Sequence, residues 1–172
     1  EDAHGFMEFI TKQIAKFARA QVEAGADIIA ISDPSGTGEI LGPHYFEGFT
    51  IKYINMLIDT IKDIKNIPVI VHICGRMHKV YRELKKLNAD AFSFDAMVNV
   101  RKLREHMDKT VLMGNISSFT LEYGSEDKIK ALTLKTITDG IDIISPACGL
   151  GTRSPLKNIQ TVLKTVKGVP NR

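Results

Sequence analysis

Five short apolar runs, each followed by a helix-spaced stretch, constrain this chain more than any other feature. The runs fall at 27–32, 68–74, 90–95, 110–116 and 141–147. The first is nearly continuous in Ile and Ala, as expected of a parallel strand buried on both faces, and the other four are apolar-rich stretches read as further strands. Helical spacing predicts helices over 6–24, 45–64, 79–87, 100–107, 126–137 and 155–166. The first carries Phe6, Phe9, Ile10, Ile14, Phe17 and Val22 and stops at Gly25. Ser154 before Pro155 reads as the N-cap of the last helix. Strands alternating with helices across short loops imply an α/β fold with right-handed crossovers.

Two architectures satisfy that alternation: an open doubly wound sheet, or part of an eight-fold (β/α) barrel of the TIM type. A complete barrel typically takes about 250 residues, so the 172 present favour the open sheet on length alone. About 34 residues per strand–helix unit give five units and one domain over 1–172. Composition excludes several function classes. The 44% hydrophobic and 25% charged content is too apolar for disorder. The net charge of +3 comes from 23 basic residues dispersed among 20 acidic ones, which argues against a nucleic-acid-binding face. No apolar run is long enough to span a membrane, and two cysteines are too few for a disulfide framework, so a reducing cytoplasm is expected.

The chemistry concentrates in Val69-Ile70-Val71-His72-Ile73-Cys74. Alternation along a strand places Val69, Val71 and Ile73 on one face and His72 and Cys74 on the other, at the C-terminal end. Cys148 follows the fifth run and stands at the same end, where parallel α/β folds bind their ligands. One imidazole and two thiols make a three-ligand zinc site with an open fourth position. The competing reading is a buried histidine and two packed cysteines, both common in cores. Geometry couples metal and architecture. A flat sheet in chain order separates the two strands by about 14 Å, whereas a curled one turns their ends toward each other. Two thiolates neutralise a dipositive ion, which suits activation of a bound thiol rather than of water.

The segments Val71-His72-Ile73-Cys74-Gly75, Gly114-Asn115-Ile116 and Ala147-Cys148-Gly149, with Ser154 to Ile159, resemble the uroporphyrinogen decarboxylase superfamily. Within it, the chain is similar to the methylcobamide:coenzyme M methyltransferases. The Gln21–Asp27 stretch and the Asp33-Pro34-Ser35 loop fit the same superfamily. The resemblance covers nearly the whole chain but only the C-terminal part of the family's barrel. It implies a partial barrel, with three units expected before Glu1. It also implies Zn2+ held by His72, Cys74 and Cys148, with the thiol of coenzyme M as a further ligand. The methyl group then passes from the cobalt(III) of a methylcobamide on a partner corrinoid protein, leaving methyl-coenzyme M and cobalt(I). The alternatives are a decarboxylase-like protein, a methyltransferase with another donor or acceptor, and a non-catalytic fragment that binds a corrinoid protein. The open edges of a partial barrel are expected to favour self-association.

Asp33, Asp95 and Asn115 stand at strand ends on the ligand side. They are candidates to orient the imidazole, to supply a fourth ligand or to hold substrate; the other role open to them is turn capping. Arg153 and Lys157 are expected to be solvated or to attract an anionic group. His4, His44, His78 and His106 are read as surface residues, and Ser35–Gly38 as a loop able to cradle an anion.

Overall fold

The computed structural model describes residues 2–170. It orders α1 (Asp2–Glu23), β1 (Ile29–Asp33), α2 (Gly38–Tyr45), a π-helical turn (Phe46–Ile51) and α3 (Lys52–Ile64). There follow β2 (Val69–Ile73), α4 (Tyr81–Leu84), β3 (Ala91–Phe94), α5 (Val100–Arg104) and β4 (Val111–Ile116). The chain closes with α6 (Ser118–Tyr123), α7 (Glu126–Thr138), β5 (Ile143–Pro146) and α8 (Leu156–Lys167). All five strands are parallel, and their order in the sheet is their order in the chain. A doubly wound sheet reverses its strand order at a switch point. This one never reverses, so its helices share one face, and the architecture is a partial (β/α) barrel of five units.

The helix-covered face carries the core. Val69, Val71 and Ile73 from β2, Phe92 and Phe94 from β3 and Leu112 from β4 are fully buried. They pack on Ile58 and Ile61 of α3, Leu84 and Leu103, all equally buried. The opposite face is the barrel interior. Ser32, His72, Ser93, Met113 and Ile143 align there as one row across all five strands.

Several elements differ from the sequence expectation. The helix expected at 45–64 begins at Gly38, with the Thr37 side chain accepting from the Ile40 N–H. Gly42, at φ 66°, breaks it before Pro43, and a π-helical turn precedes α3. Helix α6, capped by the Ser117 hydroxyl, is an unpredicted element. The last helix starts one residue later than Ser154 would place it. Pro155 takes an extended ψ of 132° and occupies the N-cap position, while the buried Ser154 Oγ has no partner. A residue preceding proline is held away from helical angles, and here the proline itself is also extended. In α1 only Thr11, Ala18 and Val22 are buried, and Phe6, Phe9 and Phe17 are each at least 60% exposed. His106, read as surface, lies half-buried against Tyr81, and its Nδ1 has no partner.

Candidate metal centre

Strand β2 ends one residue before Cys74, and β5 ends two before Cys148. Although β3 and β4 lie between them, the Cys74 and Cys148 sulfurs are 3.8 Å apart. His72 Nε2 lies 3.2 Å from Cys74 Sγ, and the donor atoms of all three residues fall within 4.8 Å of one another. The curled sheet has removed the separation that a flat one would impose. Two sulfurs bound to one tetrahedral ion at about 2.3 Å lie about 3.8 Å apart, so the spacing fits zinc. Both cysteines are free thiols; Cys74 is half-buried and Cys148 exposed. His72, Cys148, Ser32, Ser93, Met113 and Ser145 line a cleft of about 300 Å³ on the inward face.

Burial sets the local acidity. It pushes the Cys74 thiol up to about 11, helped by its hydrogen bond with Cys148, that neighbour's charge and the charge of Asp95. Burial also holds the His72 imidazole below its ordinary value, with Asp95 opposing the shift. The metal-free cluster therefore holds a neutral imidazole and a protonated Cys74 near neutral pH. A dipositive ion reverses this balance by favouring the thiolate.

The other candidates are placed differently. Asp95 lies beside the cluster: its Oδ2 accepts from the Gly75 N–H at 3.2 Å and its Oδ1 from the Met97 N–H at 2.9 Å. It ties the loop after β3 to the residue following Cys74. Gly75 turns there with φ 82°, a conformation that side-chain-bearing residues seldom adopt. Asp33 points elsewhere, its Oδ1 accepting from the Ser35 and Gly36 N–H groups in a turn. The Asn115 amide donates to the Asp95 and Val98 carbonyl oxygens, at 3.2 Å each, and so braces that loop rather than facing the cluster. Arg153 is drawn to Glu122 and the Tyr123 hydroxyl, and Lys157 pairs with Glu126. The loop at 35–38 is occupied by capping: Thr37 starts α2 with Gly38 as its first residue.

Sequence reasoning missed Ser93, whose Oγ lies 2.9 Å from His72 Nδ1. It also missed the supports of the Cys148 backbone and of the end of α6. Ser118 Oγ donates to the Cys148 carbonyl, and the buried Asn158 amide donates to Leu121 and Gly124 carbonyls. The strand register pairs Ser93 with His72, and it is the signal that finds this serine.

A family model described as uroporphyrinogen decarboxylase (URO-D) matches residues 1–169. The chain belongs to that family. A methylcobamide:CoM methyltransferase MtbA from Methanosarcina acetivorans is 25% identical over 162 residues, covering 94% of this chain and 48% of that protein. A uroporphyrinogen decarboxylase from Trichodesmium erythraeum is 28% identical over 174 residues, covering 98% and 48%. Among solved structures, a methyltransferase from Methanosarcina mazei superposes with a TM-score of 0.83 at 30% identity, over 91% of this chain and 46% of its own. The chain thus spans about half the length of the curated relatives it matches. Its relatives in the URO-D family include both methyltransferases and decarboxylases. Among the described residues, no helix is long and apolar enough to cross a membrane.

Proposed function

We propose that this chain holds zinc through His72, Cys74 and Cys148 and serves transfer of a methyl group from a methylated corrinoid protein to a thiol such as coenzyme M. The observation that carries the reading is the convergence of three donor atoms within 4.8 Å from two non-adjacent strands. Zinc held there by His72, Cys74 and Cys148 would acidify a thiol, and the two sulfur ligands would keep that thiol nucleophilic. The chain's own groups do the rest. Cys74 and Cys148 give up their protons and balance the charge of the ion. Asp95, with Asn115 behind it, holds the residue after Cys74 in place, and the 300 Å³ cleft gives a small thiol access to the cluster. A thiol that has released its proton to solvent would take the methyl group from cobalt(III), forming a C–S bond as the Co–C bond breaks with both electrons left on cobalt. The products are a thioether and cobalt(I), so the transfer needs no added oxidant or reductant. A cytoplasmic location, and self-association through the edge strands β1 and β5, belong to the same proposal.

The test is elemental analysis of protein purified without metal and then dialysed against zinc, followed by thiol-dependent demethylation of methylcobalamin. One zinc per chain and thiol-dependent loss of methylcobalamin absorbance are expected. No retained zinc removes the mechanism and leaves a decarboxylase-like member of the family. Bound zinc without demethylation keeps the ion site and overturns methyl transfer by this chain.

A further inference from the structure

The structure assigns Ser93 as the positioning residue of His72: it keeps the imidazole proton on Nδ1 so that Nε2 presents its lone pair beside Cys74 and Cys148. This inference rests on the zinc reading above and adds the residue that makes His72 a competent ligand.

Strand β3 reads Ala91-Phe92-Ser93-Phe94, and all four residues are buried. A hydroxyl in such surroundings costs free energy unless it is hydrogen-bonded. The Ser93 hydroxyl meets His72 Nδ1 at 2.9 Å across paired register positions. The other ring nitrogen lies 3.2 Å from Cys74 Sγ. Both nitrogens are thus engaged, one by β3 and one by the donor cluster.

A hydroxyl can donate or accept, so the cluster decides its direction. An Nε2 that accepts a metal, or the S–H of Cys74, has no proton of its own. The proton then sits on Nδ1 and points at Ser93 Oγ, which accepts. Without that acceptor, Nδ1–H is left unpaired beside the buried β3. The ring then gains by moving its proton to Nε2, where it donates to Cys74 sulfur and no longer offers a lone pair to an ion. A serine achieves this orientation without adding charge, which suits a site where two thiolates already balance a dipositive ion. A carboxylate in the same place would make the site anionic.

The opposite flank supplies an internal control. Ser32 on β1 is also paired in register with His72 and lines the same cleft. It is exposed, and it makes no hydrogen bond to the imidazole among the described contacts. A role that came merely from placing a serine beside the histidine would belong to both; a positioning role belongs to Ser93.

The experiment uses the whole chain with 15N-labelled histidine. Long-range 1H–15N correlation identifies which His72 nitrogen carries the proton in metal-free protein, and chelator competition gives the zinc affinity. Wild type and Ser32→Ala are expected to show the Nδ1–H form. Ser93→Ala is expected to shift toward Nε2–H and to bind zinc about 10–100-fold more weakly, the usual cost of losing such a partner. Ser93→Thr, which keeps the hydroxyl, is expected to restore both readouts. Zinc uptake by wild type together with an unchanged tautomer and affinity in Ser93→Ala overturns this inference alone. A wild-type chain that takes up no zinc overturns the reading on which it rests.

Discussion

The two faces of one sheet have been given different tasks. On the helix-covered face, side chains such as Val71, Ile73, Phe92 and Phe94 are wholly buried, and none carries a polar atom beyond its backbone. On the inward face, the row Ser32, His72, Ser93, Met113 and Ile143 mixes hydroxyls and an imidazole with apolar groups, and Ser32 and Ile143 stay exposed. Alternation along each strand lets neighbouring residues serve opposite ends: Val71 and Ile73 anchor the helices while His72 between them faces the cluster. Stability and chemistry are therefore separable by parity, and substitutions one residue apart should have unlike consequences.

The largest effect should come from the covered face. Phe92→Ala is expected to lower unfolding free energy by about 3–5 kcal/mol, as for other buried aromatic truncations. Urea denaturation measures it, and a loss under 1 kcal/mol would mean that this face is not the core. Next, Cys148→Ala should leave the urea midpoint of metal-free protein nearly unchanged while weakening zinc by about 100-fold or more, since a ligand's share of the total binding energy is several kcal/mol. Loss of fold in that variant would break the separation of the two faces.

Acidity sharpens the comparison further. Zinc must displace the proton of Cys74, whose thiol is pushed up to about 11, so this thiol alone should raise zinc affinity about tenfold per pH unit between pH 6 and pH 8. A flat profile in chelator competition would show that Cys74 is not a ligand. In metal-free protein the sign follows from each shift. The raised Cys74 value stabilises the fold below the ordinary thiol value of 9.0, and this contribution is lost as pH climbs toward about 11. The lowered His72 value stabilises it above the ordinary imidazole value of 6.5, and this is lost as pH falls through the folded value. Urea midpoints across pH should therefore fall on both flanks, and His72→Asn should flatten the acid one. The smallest effect belongs to Ser32→Ala, expected to change stability by no more than about 0.5 kcal/mol because the side chain is exposed.

Much of this division was legible before any coordinates. Five short stretches dominated by apolar residues mark five strands, because their helix-covered faces have no room for polar side chains. Alternation around His72 and Cys74 is enough to put imidazole and thiol on one side. Curvature was not legible from length, which pointed to an open sheet; it came from requiring Cys148 to reach Cys74. Partners set by register were hidden as well. Ser93 is one serine among apolar neighbours until β2 and β3 are aligned, and only then does it meet His72. Asp33 and Asn115 show the reverse problem. Both stand at strand ends, but nearby backbone groups claim them: Ser35 and Gly36 N–H for the carboxylate, Asp95 and Val98 carbonyls for the amide. Sequence position does not tell such competition apart from chemistry. Helices α2 and α6 were obscured because their caps, Thr37 and Ser117, lie in stretches rich in turn-forming residues.

The two sulfurs belong to strands that never touch, and only the bend of the intervening pair brings them together. Any lesion that flattens β3 or β4, however distant from the thiols, should reach the ion as a lost ligand, so metal affinity becomes a gauge of how far the wall curls. The linkage also runs backward: at a thousandfold excess over the dissociation constant, an ion held across that span would favour the curved form by about 4 kcal/mol.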